Sequence, residues 1–173
     1  MFLERLLVLF SVVCISYAHS SFEQKQLKHA LDFATSNRLE LEILLQHYTY
    51  DSLKLEAAKF LIRNMPHCYS YQQGGEMDSV KRVRTYYSPF GQIDQTYARR
   101  WGHYTYRNLL KIYDAHIITA EYLIDNIDRA FDNWQKRPWN RSLSFEDFCE
   151  YLLPYRIGDE PLEEWRELYE KKY

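Results

Sequence analysis

Apolar residues recur along this chain at steps of three and four, the spacing of one helical face, while strand-like alternation is nearly absent. From Phe22 to Ala34 the set Leu27, Ala30, Leu31 and Ala34 predicts a first helix that ends before the polar Thr35-Ser36-Asn37. Asn37 with Glu40 three residues later has the form of a capping box for a second helix, whose inward face is Leu41, Leu44, Leu45 and Tyr48. Asp51 caps a third helix with Ala57, Phe60 and Leu61 inward. That helix stops at Met65-Pro66, because a proline disfavours α geometry in the residue before it. Residues 66–78, with Pro66 and Gly74-Gly75, read as the longest irregular segment, and loops of that length are where function collects.

Val80, Val83 and Tyr86 or Tyr87 predict a fourth helix broken by Ser88-Pro89-Phe90-Gly91, with a short helical turn around Asp94 to Ala98. The strongest periodicity follows, from about Tyr104 to Gln135: Tyr106, Leu109, Leu110, Tyr113, Ile117, Ala120, Leu123, Ile124, Ile127, Ala130, Phe131 and Trp134 keep one stripe. Read as one helix, that stretch would be roughly 45 Å long and form a spine ended by Pro138. Ser144 and Asp147 pair as a cap for a helix through Phe145, Phe148, Cys149 and Leu152, which Pro154 stops. After Gly158-Asp159, Pro161 suits a first helical turn, and Leu162, Trp165, Leu168 and Tyr169 stripe a last helix. The fold class is therefore all-α, an irregular bundle of about seven helices packed around one long central helix.

Composition agrees with one globular domain: 46% of the residues are hydrophobic, 27% are charged, and the 173 residues include only 5 Gly and 5 Pro. A formal net charge of -2 excludes a broad electrostatic footprint for nucleic acid. With 16 Tyr, 9 Phe and 4 Trp, the chain has enough rings to build a core and leave some at the surface.

The N-terminus changes the picture of compartment. One basic residue, Arg5, precedes the apolar run Leu6 to Ser16, and Ser16-Tyr17-Ala18 puts small residues at the -3 and -1 positions of a cleavage site. Residues 1–18 thus read as a signal peptide and 19–173 as a single helical domain, secreted or periplasmic. The run falls short of the roughly 20 residues a membrane span needs. A lipid anchor would use Cys14, but Val13 before it is bulkier than lipobox chemistry usually accepts. Cys68 and Cys149 would then meet an oxidising compartment, where they either pair or remain free as small apolar residues.

No arrangement of residues marks a catalytic centre or calls for a cofactor. His67-Cys68 is an adjacent pair without the flanking motif of a nucleophile. The six histidines contain no HExxH and no CxxC accompanies them, so no metal site is expected. Asp114 and His116 lie two apart and face different directions. Asp125, Asp128 and Asp132 lie opposite the apolar stripe and read as its solvated face. Two basic groups, Lys81-Arg82 with Arg84 and Arg99-Arg100 with Trp101, mix cations and rings in a way that holds anionic ligands. Tyr69, Tyr71, Tyr86, Tyr87, Tyr97, Tyr104 and Tyr106 gather around the irregular segment. Tyr69, Tyr71, Arg99, Arg100 and Trp101 are the candidate ligand-binding residues.

Several segments together resemble a known family: Ser36-Asn37-Arg38-x-Glu40-Leu41-Glu42, Glu56-Ala57-Ala58-Lys59-Phe60-Leu61-Ile62 with Asn64-Met65-Pro66, Tyr113-Asp114-Ala115-His116, and Lys136-Arg137-Pro138-Trp139. Leu143-Ser144-Phe145 leading to Phe148-Cys149-Glu150-Tyr151-Leu152-Leu153-Pro154-Tyr155-Arg156 completes the set. In this order, over residues 27–169, they resemble the N-terminal helical region of secreted bacterial proteins that carry a transglutaminase-like domain further along. The resemblance implies a non-catalytic accessory or binding module, with that catalytic domain or a protein or peptide ligand as partner. The Cys-His-Asp arrangement of such a domain has no counterpart here. The family places His where this chain has Cys68, so Cys68 inherits no role. An ending at Lys171-Lys172-Tyr173 inside a predicted helix suggests a truncated product, and the face bearing Trp165 and Tyr169 would then lack its partner. The competing expectation is a helical enzyme acting on glycans or peptides, with Glu76 and Asp78 as acid and base, although carboxylates two residues apart are a poor match to that geometry.

Overall fold

The computed structural model describes residues 20–72, 109–156, 158 and 161–167. It is mostly helical, 68% helix against 6% strand, but a small sheet corrects the all-α expectation. Residues 20–33 form α1, Arg38–His47 α2 and Ser52–Asn64 α3. Strands β1 (Tyr69–Tyr71) and β2 (Lys111–Tyr113) pair antiparallel. Ala120–Lys136 form α4, and Phe145–Asp147 form α5, which widens into a π-turn over Phe148–Leu152.

The amphipathic faces read from sequence pack as their spacing requires. Leu41 and Leu44 of α2, Ala57, Ala58, Leu61 and Ile62 of α3, and Leu123, Ile127, Ala130 and Phe131 of α4 form one core. Rings close its far end, with Phe148 between Phe131, edge-on at 4.7 Å, and Trp134, stacked at 4.4 Å. Asp51 caps α3 by accepting from the Lys54 amide, and Ser144 caps α5 by accepting from the Asp147 amide, both as their sequences predict.

The long spine is not one helix. Lys111–Tyr113 is strand, Asp114–His116 is a 3-10 turn, and α4 begins only after Thr119, whose hydroxyl accepts from the Tyr122 amide. Its 17 residues span roughly 26 Å. The β-branched run Ile117-Ile118-Thr119 is a poor helix interior, and Asp114 and Thr119 both offer local hydrogen bonds that compete with helix. Between Leu109 and Thr119 the apolar stripe comes from a strand and a turn, and its beginning, Tyr104 to Asn108, lies outside the described residues. At the other end Arg137 is extended, as a residue before proline should be.

The capping box of α2 is redirected. Asn37 makes no cap bond to its own helix and donates to the carbonyls of Ala115 (3.0 Å) and Ile118 (2.8 Å). Glu40 accepts from the amide of Ala120, the first residue of α4, at 2.7 Å. Glu40 serves a helix start, but the one across the interface, and Asn37 fastens the turn that leads into it. A left-handed Thr35 (φ 50°) turns the chain so that they can reach it.

The segment after α5 is fastened by buried polar groups. Arg166 donates to Asn126 Oδ1 at 2.6 Å and to the carbonyls of Leu152 and Pro154, while Asn126 donates to the Leu153 carbonyl at 2.9 Å. Leu162 packs against the core, and residues 165–167 are helical, so the predicted last helix starts at Trp165. Leu168 and Tyr169 lie outside the described residues.

Candidate functional site

The register of the sheet decides which side chains share a surface. Tyr69 lies opposite Tyr113, Ser70 opposite Ile112, and Tyr71 opposite Lys111. Successive strand residues alternate faces and directly opposed residues share one, so Tyr69, Tyr71, Lys111 and Tyr113 form one face and Ser70 and Ile112 the other. Ser70 is buried, Ile112 and the three tyrosines are half-buried and Lys111 is exposed.

On that outer face the rings touch in sequence. Tyr71 meets Tyr69 edge-on at 5.6 Å, Tyr69 meets Tyr113 at 5.9 Å, and Tyr113 meets Phe33 at 5.2 Å. His116 stacks on Phe33 at 5.1 Å. Its Nε2 donates to the Phe33 carbonyl at 2.9 Å, since a carbonyl oxygen only accepts. Lys111 sets its ammonium 3.8 Å above the centre of the Tyr69 ring, a cation–π contact. Among the described residues this is an aromatic strip that carries the Lys111 cation.

Beneath the strip, Asp114 ties its strands to the C-terminal segment. The side chain is fully buried, accepting from the Tyr155 hydroxyl at 2.9 Å and from Arg156 at 2.7 Å, while the Asp114 amide donates to the Cys68 carbonyl at 3.1 Å. Burial pushes the Asp114 carboxyl up, and Arg156 and Tyr155 oppose that shift. Its Oδ1 has no hydrogen-bond partner among the described residues. Cys68 is a free thiol whose Sγ lies 3.6 Å from the Asn64 carbonyl, and burial pushes it up also, which disfavours the nucleophilic thiolate. Cys149 is also free, buried in the core, with its thiol pushed up to about 12 by burial first and Glu146 second. The open question of a disulfide is settled toward two separate thiols.

A second concavity, about 320 Å³, lies between the start of α4 and residues 164–167, lined by Glu121, Asp125, Glu164 and Glu167 with Tyr122 and Arg129 among its other walls. Glu164 is pushed up by its hydrogen bond to Glu167, and Asp125 accepts from Arg129 at 2.7 Å. Among the described residues no group of three or more His, Cys, Asp and Glu is arranged to hold a metal ion.

Of the residues singled out from sequence, Tyr69 and Tyr71 come together on the aromatic strip. Arg99, Arg100 and Trp101 lie outside the described residues, as do Lys81, Arg82, Arg84, Glu76 and Asp78. Asp125, Asp128 and Asp132 pair with Arg129, Lys54 and Lys136, the behaviour of a solvated face. Sequence reasoning missed Phe33, Lys111, Tyr113 and His116. The only trace was the two-residue alternation of Tyr69-Ser70-Tyr71 and Lys111-Ile112-Tyr113, too short to stand out beside a helical stripe. No family model, curated protein or solved structure matches this chain.

Proposed function

We propose that this chain is a non-catalytic helical binding module and that the aromatic strip is its ligand surface. The observation that carries this is the unbroken run of ring contacts from His116 through Phe33, Tyr113 and Tyr69 to Tyr71 on one face of the sheet. Rigid amphipathic rings give large contact area at small entropic cost, which suits them to recognition of peptides or glycans. A buried Asp114 that fixes the strands from below pre-organises such a surface. The protonated state favoured for Cys68 supports the non-catalytic reading. Export directed by residues 1–18, and association with a transglutaminase-like catalytic domain or its protein or cell-wall peptide substrate, belong to the same proposal. Among the described residues no helix is long and apolar enough to cross a membrane.

The test is titration of the full chain with soluble cell-wall muropeptides and with peptides from a denatured protein, read through tyrosine ring NMR signals. Shifts should concentrate at Tyr69, Tyr71 and Tyr113, and Tyr113→Ala should weaken binding at least tenfold while leaving the thermal transition cooperative. Shifts confined to the acidic concavity, or unchanged affinity in the variant, would overturn this assignment.

A further inference from the structure

The hydrogen-bond phase of the two-stranded sheet says what kind of ligand the strip can take. Gln72 donates to the Leu110 carbonyl at 2.9 Å and Asp114 donates to the Cys68 carbonyl at 3.1 Å, so the pairs 72–110 and 68–114 are hydrogen-bonded positions. Antiparallel pairing alternates, which makes 70–112 hydrogen-bonded and leaves 69–113 and 71–111 as the other kind. At those positions the main-chain N–H and C=O point away from the partner strand. The Lys111 N–H and C=O and the Tyr113 N–H therefore face outward along the free side of β2, where among the described residues no main-chain group pairs with them, while the Tyr113 carbonyl is taken by the 3-10 turn that follows. An outward row of unpaired donors and acceptors is a template for another strand.

Resting on the reading of the strip as a ligand surface, we propose that β2 binds an extended peptide by strand addition, antiparallel to Lys111–Tyr113. A peptide supplies the alternating main-chain groups that this edge requires, whereas a glycan does not. Ligand residues opposite Tyr113 and Lys111 share the face of the strip. The first meets the rings of Tyr113 and Phe33, which favours an apolar side chain. The second, two residues later in an antiparallel strand, meets the exposed Lys111 ammonium, which favours a carboxylate. The ligand is thus an acidic extended peptide with an apolar residue two positions before the acid.

The probe is a fluorescent, end-blocked pentapeptide with threonine at positions one, three and five, valine at two and glutamate at four, measured against the full chain by anisotropy. N-methylation of the glutamate amide, which faces the Lys111 carbonyl, should weaken binding at least tenfold, and N-methylation of the central threonine should change it less than twofold. Lys111→Glu should reverse the preference, binding the lysine-for-glutamate peptide better than the original. Equal sensitivity at the glutamate and central threonine amides, or no saturable binding of the pentapeptide at millimolar concentration, would overturn strand addition. Loss of muropeptide or peptide binding in Tyr113→Ala reports separately on the aromatic strip, so one reading can fall while the other stands.

Discussion

Two regions of this molecule are held together by different physics. Where α2, α3 and α4 meet, apolar faces interlock and almost every buried group is carbon. Where β1, β2, the Asp114–His116 turn and the segment from Leu153 onward meet one another and the Asn126 side of α4, the chain is irregular and the buried contacts are directed: Asp114 to Tyr155 and Arg156, Asn126 to Leu153 and Arg166. The first is tolerant because burial is non-directional and depends chiefly on area and volume. The second is exacting, because a buried charge that loses its partner bears the full desolvation cost.

The largest effects test that contrast directly. Phe148→Ala, which empties the space between Phe131 and Trp134, should cost about 3–5 kcal/mol in denaturant unfolding, and Asp114→Ala, which removes the buried acceptor of Tyr155 and Arg156, about 3–5 kcal/mol. Near-isosteric replacements should separate the regions: Leu123→Met less than about 1.5 kcal/mol, but Asp114→Asn still on the order of 3 kcal/mol. Equal penalties for the latter two would break the comparison.

A smaller effect lies in pH. Cys149 is neutral in the fold, with its thiol held near 12 against an ordinary value of 9.0. A raised acid keeps its proton in the folded state, so its contribution is fully present below pH 9 and fades as pH climbs toward 12. Between pH 9 and 10 the parent should lose about 1 kcal/mol more than Cys149→Ala. Parallel pH profiles would show that the core admits the thiolate. Next, Asp51→Ala removes the cap of α3 and should cost about 1 kcal/mol. Smallest, Lys136→Ala breaks an exposed pair with Asp132 and should cost less than about 0.5 kcal/mol by urea titration.

The apolar region was legible because its information is local. Leu41, Leu44, Ala57, Leu61, Leu123 and Ile127 announce their burial by spacing alone, and Asp51 and Ser144 announce helix starts by the distance to the amides they accept from. The candidate surface was half legible. Tyr69 and Tyr71 were flagged because rings gather there, whereas Phe33, Tyr113 and His116 belong to segments whose neighbourhood no local window contains. Asn37 and Glu40 show the same limit from the other side, since their spacing fits a capping box while their hydrogen bonds go to Ala115, Ile118 and Ala120.

By itself the sequence determined that this chain is largely helical, which faces its helices bury and where several of them begin, because helical periodicity and capping act over one or two turns. Only the tertiary structure decided that the stripe from Tyr104 is interrupted, that Lys111–Tyr113 leaves the helix to pair with Tyr69–Tyr71, and that Asp114 is buried rather than solvated. Strand pairing, a buried ion pair and a cap lent across an interface draw their free energy from partners distant in sequence, and local preference yields when those partners supply more.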